Sequence, residues 1–212
     1  MTEDLRHIRR EYVAKALRRK DLADEPLALF SQWLDEALNA GVADATAMSL
    51  ATADVEGTPS VRVVLLKAHG PEGFVFYTDY SSAKGADLAA NPRAEVMFFW
   101  REMNRQVRVS GSVGKLTRED AEAYFVSRPK ASQVSAAASD QSQPIESREV
   151  LEARVRKLEE MDALACPEDW GGYCLRPGRF EFWQGRESRL HDRFVYEAVH
   201  ESQSWRVTRL QP

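Results

Sequence analysis

The hydrophobic period of this chain changes at Ala47, and that change limits the fold more than any other feature. Before it, Leu27, Phe30, Trp33, Leu34, Ala37 and Leu38 recur at helical spacing behind Pro26, and Gly41 stands where a helix would end. After it, apolar residues alternate with others over short runs that close in turn signals. The spacing predicts strands from Ala47 to a turn at Glu56-Gly57, from Ser60 to Lys67, and from Phe74 to Tyr80 after a turn at Gly70 to Gly73. Others run from Ala94 to Trp100, from Gln106 to Leu116, from about Gly172 to Trp183, and from Phe194 to the end. Helices are expected over Leu5 to Leu17, in a short segment capped by Ser81 and ending near Asn91-Pro92, from the N-cap Thr117 to Ser127, and over Glu146 to Ala163. Residues Lys130 to Gln143 read as helix and loop with little apolar face. Short antiparallel strands with helices inserted between them predict an α+β fold, mainly β: a barrel with peripheral helices.

At 212 residues the chain fits one domain, and no repeat, low-complexity linker or composition break divides it. The 29 Lys+Arg against 33 Asp+Glu leave a net charge of −4, which argues against a nucleic-acid partner. Any cationic cluster therefore needs a local explanation. Two cysteines, Cys166 and Cys174, make neither a disulfide framework nor a metal site. The charged N-terminus and the lack of a long apolar run lead us to expect a soluble, cytoplasmic protein with no membrane partner.

Three patterns carry chemistry. Between Phe180 and Phe194, Arg186, Arg189, His191 and Arg193 crowd onto a strand-turn-strand path with Trp183, and such a cluster repels itself unless an anion intervenes. In SVRVVLLK, Arg62 and Lys67 are five apart and point to opposite faces of a regular strand. A bulge, or a ligand wrapping the strand end, would let both serve one site. In AYFVSRPKAS, Tyr124, Arg128 and Ser132 recur every four residues, so a helix would align them, but Pro129 demands a bend. A phenol, a guanidinium and a hydroxyl together satisfy a phosphate monoester.

WQG followed by RLHDRF resembles the C-terminal signature of the pyridoxine/pyridoxamine 5′-phosphate oxidases, FMN enzymes, and the motifs occur in that family's order from RREY to RLQP. The resemblance implies an FMN-binding split β-barrel, one domain over residues 1–212, that forms a homodimer with each flavin at the subunit interface. Residues 1–20 would cover the substrate, and 180–212 would serve dimerisation and the active site. RxVLLK looks like the flavin-binding strand, which assigns Arg62, Val63, Val64, Leu65, Leu66 and Lys67 to FMN. Tyr77, Thr78 and Lys84 fall where the family contacts the flavin phosphate, and a helix N-terminus with Arg and Lys suits that task. Gln106, Gln141, Ser142, Trp183 and Arg193 complete the flavin set. Lys67, Tyr124, Arg128 and Ser132 match the substrate-phosphate residues, with Arg9, Arg10, Glu11 and Tyr12 folding over the substrate. Arg189, Leu190 and His191 would face the pyridine ring, Arg189 and His191 as the catalytic pair. Asp44 occupies another position near the active site in that family.

The implied reaction oxidises pyridoxamine or pyridoxine 5′-phosphate with molecular oxygen to pyridoxal 5′-phosphate and hydrogen peroxide. The residues leave open whether His191 accepts a proton or only orients the ring. Two other readings stand beside this one: a related split-barrel flavoprotein acting on another substrate, and a vitamin B6-phosphate carrier without turnover. Two departures from the family pattern bear on the choice. Ala83 stands beside Lys84 where a second basic residue is usual, and a common Trp is absent from Ser135-Ala136-Ala137-Ala138.

Overall fold

The computed structural model describes Asp4, residues 15–199 and residues 204–212. Helix α1 (Pro26–Asn39) opens on a proline whose missing N–H costs nothing in the first turn, and Gly41, at φ +69°, turns the chain away after it. Strands β1 (Ala47–Ala53) and β2 (Pro59–Leu65) follow, then β3 (Ala68–Gly70) and β4 (Gly73–Asp79). Helix α2 (Ala83–Ala90) leads to β5 (Arg93–Trp100) and β6 (Arg105–Lys115). Helices α3 (Arg118–Ser127), α4 (Lys130–Ala138) and α5 (Arg148–Glu159) come next. The chain ends in β7 (Trp170–Gln184), β8 (Asp192–Val199) and β9 (Ser204–Leu210). Among the described residues the strands hydrogen-bond in the order β2-β1-β5-β6-β7-β4-β3, with β8 on β7 and β9 on β8. β4 runs antiparallel to the start of β7 (Tyr77 opposite Gly172), and β8 to its end (Arg193 opposite Trp183).

Several expectations need correction. Residues 15–18 are not helical and lead into a 3-10 turn at Arg19–Asp21; the rest of the expected first helix lies outside the described residues. Ser82, not Ser81, caps α2, because Ser81 is engaged by Asp79 while the Ser82 hydroxyl accepts the Gly85 N–H. Helix α5 is shorter than Glu146 to Ala163: none of its residues is fully buried, and Met161 beyond it is 47 % exposed, so no apolar contact holds a further turn. Helix α4 buries Val134 and Ala138, an apolar face that its small residues concealed. The last strand is two, β8 and β9, paired antiparallel.

The chain divides into two compact units. The first comprises Met1–Ala47, Val96–Val109 and Gly178–Pro212. Its core is aromatic: Phe30 packs 5.0 Å from Phe98, and Trp33 meets Phe182 edge-on at 5.3 Å. The second comprises Met48–Glu95 and Ser110–Pro177. Here Phe125, Val134, Leu164 and Trp170 form a buried cluster beneath α3 and α4. Burying four such side chains is worth roughly 1.5–3 kcal/mol each, enough to fix the positions of the helix ends that carry polar groups.

Candidate functional site

The second unit contains a cavity of about 910 Å³. Its wall runs from Ser60 to Leu65 on β2, then Lys67, Tyr77 to Asp79 on β4, Ala83 and Lys84 at the start of α2, and Tyr124, Arg128 and Ser132 from α3 and α4. Gln141, Ser142 and Trp170 close it. Of the residues predicted for flavin and substrate, thirteen therefore share one cavity: Arg62, Val63, Val64, Leu65, Lys67, Tyr77, Thr78, Lys84, Tyr124, Arg128, Ser132, Gln141 and Ser142. Leu66 does not line it; the side chain is 5 % exposed in the core. The difficulty over Arg62 and Lys67 resolves at the strand end. β2 stops at Leu65, so Lys67 escapes the two-residue alternation and reaches the same cavity.

Lys84 is 7 % exposed, and its ammonium donates to Thr78 Oγ1 (3.0 Å), Ser82 Oγ (3.0 Å) and Gln141 Oε1 (2.5 Å), all neutral acceptors. Burial, with the Arg62 charge adding to it, pushes its pKa down against a smaller pull from Asp79. A buried cation without a carboxylate in its hydrogen-bond shell is costly, and a bound anion offsets that cost. Arg62 is spread over Leu50 O (3.2 Å), Thr52 Oγ1 (2.6 Å) and Ser60 Oγ (2.5 Å), with Asp87 at 3.6 Å. Gly85 makes this geometry possible: a Cβ there would stand 2.0 Å from the Tyr80 carbonyl oxygen, so only glycine lets the first turn of α2 pack against the end of β4.

Elsewhere in the cavity, Arg128 caps α3 in extended conformation, as the residue before proline prefers, and α4 starts afresh at Lys130. The bend required by Pro129 is thus present, and Tyr124, Arg128 and Ser132 still share the cavity across it. The Arg128 guanidinium lies 4.9 Å over the Trp170 ring, and its Nη1 is buried with no hydrogen-bond partner among the described residues. Burial shifts Arg128 downward, opposed by Tyr124 and Cys166. Ala83 lines the mouth beside Lys84, and Ser135 and Ala136 line the stretch without tryptophan.

The first unit carries the remaining predicted residues. Gln106 lies half-buried on β6, and Asp44 adopts a left-handed turn (φ 51°) before β1. Trp183 packs against the His191 ring at 4.6 Å. His191 Nδ1 accepts the Arg186 N–H at 3.0 Å, which places the neutral ring's proton on Nε2. Burial first, then the Arg189 charge, lower its pKa against Asp192, so the ring is neutral near pH 7. Ser188 and Arg189 both take positive φ (53° and 60°), a turn that projects the exposed Arg189 and Leu190. Asp192 anchors its base by accepting the Leu17 N–H (3.1 Å) and pairing with Arg209. Arg9, Arg10, Glu11 and Tyr12 lie outside the described residues.

Sequence reasoning passed over two residues that organise these clusters. Glu181, 2 % exposed, accepts from Arg193 Nε (3.0 Å) and Nη2 (2.8 Å) and from Arg179 (2.9 Å), with Arg108 at 3.6 Å. Its signal was a lone charge alternating with phenylalanines in FEFW. Trp170 precedes Gly171 and Gly172, where a Cβ would meet the Tyr80 hydroxyl at 2.2 Å and the Leu116 and Tyr77 side chains at 2.6 Å and 2.9 Å. Paired glycines inside a strand mark such close approach.

The chain is similar to known proteins over nearly its whole length. A family described as pyridoxamine 5′-phosphate oxidase matches residues 34–162, and one described as the pyridoxine 5′-phosphate oxidase C-terminal dimerisation region matches residues 170–212. A pyridoxine/pyridoxamine 5′-phosphate oxidase of Hydrogenovibrio crunogenus is 50% identical over 207 residues, covering 96% of each chain. One from Rubrobacter xylanophilus is 49% identical over 212 residues, covering 99% of this chain and 97% of its own. Among solved structures, PhzG from Burkholderia lata in complex with tetrahydrophenazine-1-carboxylic acid superposes with a TM-score of 0.88 at 32% identity, covering 94% of this chain and 99% of that one. A pyridoxamine 5′-phosphate oxidase-related, FMN binding protein from Nostoc punctiforme shares the fold at a TM-score of 0.72 and 18% identity, over 89% and 98% of the two chains.

Proposed function

The chain belongs to the pyridoxamine 5′-phosphate oxidase family, and on that premise we propose that it oxidises pyridoxamine and pyridoxine 5′-phosphates to pyridoxal 5′-phosphate, with FMN as cofactor and oxygen as acceptor. One observation carries the reading: a single cavity is lined both by the Arg62 and Lys84 set and by the Lys67, Tyr124, Arg128 and Ser132 set. A flavin mononucleotide and a phosphorylated substrate bring one phosphate each. The buried Lys84 ammonium, held by neutral oxygens, and the unpartnered Arg128 Nη1 are the groups a phosphate would satisfy.

When bound, FMN would supply the two-electron redox chemistry of this oxidation, with oxygen as the final acceptor. The protein's share is placement. Arg62, Thr78, Lys84, Gln141 and Ser142 hold the flavin phosphate, while Lys67, Tyr124, Arg128 and Ser132 hold that of the substrate. Gln106, Trp183 and Arg193 address the flavin in a homodimer with each flavin at the subunit interface, an arrangement supported by the match of residues 170–212 to a dimerisation region. Arg189 and His191 orient the pyridine ring. The hydrogen bond from the Arg186 N–H into His191 Nδ1 supports orientation rather than proton abstraction, because Nε2 then carries hydrogen and donates. His191→Asn, whose Oδ1 can take the same N–H, should keep turnover within about tenfold of the native enzyme; a loss of about 10³-fold or more would restore the general-base role.

The likeness to PhzG, which is bound to a carboxylic acid, favours a second reading: oxidation of a non-phosphorylated ring acid. An aerobic assay of the FMN-reconstituted protein separates the two. Pyridoxal 5′-phosphate and peroxide in equal amounts from either B6 phosphate are expected. Bound flavin without either product would overturn the oxidase reading.

A further inference from the structure

Trp170 lies beneath Arg128, whose Nη1 is buried without a hydrogen-bond partner among the described residues. The ring is 7 % exposed and held from several directions. Phe125 meets it edge-on at 5.3 Å, Tyr77 stacks at 5.4 Å and 14°, and Tyr124 lies beyond at 6.2 Å and 10°. Its backbone is pinned too, since the Trp170 N–H donates to Pro167 O (3.1 Å) and Arg118 donates to Trp170 O (3.4 Å). Against this fixed surface rests the Arg128 guanidinium, 4.9 Å from the ring centroid.

Among the described residues no carboxylate pairs with Arg128; in extended backbone between two helices, the indole face supplies the hold. A guanidinium held over an aromatic ring keeps N–H groups for a ligand, and Nη1, buried and without a partner among the described residues, is such a group. The same stack reaches a second polar group. Tyr77 stacks on Tyr124 at 3.9 Å and 23°, so one aromatic ladder sets both the Arg128 and the Tyr124 side chains.

We propose that Trp170 is a positioning residue for the substrate phosphate, acting through Arg128 and, by way of Tyr77, through Tyr124. The proposal rests on the reading that Arg128 binds that phosphate. It predicts a graded effect in which KM for pyridoxamine 5′-phosphate follows the strength of the π-face at position 170. A cation–π contact of about 1.4 kcal/mol corresponds to a tenfold change. Trp170→Leu should therefore raise KM about tenfold with kcat changed less than about twofold, and Trp170→Phe about threefold.

Inorganic phosphate, used as a competitive inhibitor, should weaken by the same factors. Arg128→Lys is the control. If it raises KM and the phosphate inhibition constant while both Trp170 variants leave them unchanged, the proposal is overturned and the Arg128 assignment stands. If Arg128→Lys changes neither constant, the phosphate reading itself fails. Should Trp170→Leu not fold, the Phe variant carries the test, since unchanged constants in it are also contrary.

Discussion

Single side chains in this protein are informative where charge is buried. Glu181 is the clearest case. Burial alone would raise its pKa, but hydrogen bonds from Arg193 and Arg179 and the charges of Arg193 and Arg108 outweigh that, leaving it below the usual 4.5. A carboxylate with a depressed folded pKa stabilises the fold fully above its unfolded value, and that contribution drains away as pH falls through the lowered one. Glu181→Gln should therefore lose less stability than the native protein between about pH 5 and pH 3, read as Tm against pH. Equal acid-side slopes would contradict it. The same substitution frees Arg193, so FMN affinity should fall roughly 10-fold, the low end for a charged hydrogen bond. Neither Glu181 nor Trp170 was legible in the sequence as a working residue, because each acts through an arginine brought near only by strand pairing or helix packing.

Two elements control where the cations point. Helix α2 presents Lys84 buried and Ala83 exposed at the cavity mouth. Ala83→Arg adds a charged donor there and should tighten FMN roughly 10- to 100-fold in a fluorescence titration. No gain would mean the phosphate is already satisfied. The break between α3 and α4 is the second control. Pro129 forbids a continuous helix, and the extended Arg128 follows from it. Pro129→Ala permits the helix to run on, turning Arg128 away, so KM for pyridoxamine 5′-phosphate should rise several-fold with little change in kcat. The four-residue spacing of Tyr124, Arg128 and Ser132 was visible in sequence, as was the need for a bend. The end of β2 at Leu65, which frees Lys67 from alternation, was not, because β-branched and apolar residues continue past Arg62 without a breaker.

At the scale of the whole chain, the alternation in β2 is inverted for an edge strand of an isolated subunit. Val61 (66 %), Val63 (67 %) and Leu65 (44 %) are exposed at the end of the sheet order. Exposed apolar edges invite association, and we expect the proposed homodimer to cover them. Val61→Glu should shift the protein toward monomer in sedimentation at micromolar concentration; an unchanged dimer would place the interface elsewhere. Most of the architecture was legible from period and turn chemistry, since Gly57, Gly73 and Thr117 mark turns or caps that local rules require. Less so were the extents of α4, whose apolar face is small, and of α5, none of whose residues is fully buried, where tertiary contacts decide.

On the proposed function, one cavity receives two phosphates, the second belonging to the substrate. The most direct test is the ratio of kcat/KM for pyridoxamine 5′-phosphate to that for pyridoxamine, measured on the FMN-saturated protein. A site built around buried donors rejects an analogue that leaves them unpaired, so a preference of about 10³-fold or more is predicted, collapsing in Arg128→Leu. Comparable values for the two amines in the native protein would rule out a dedicated substrate-phosphate site.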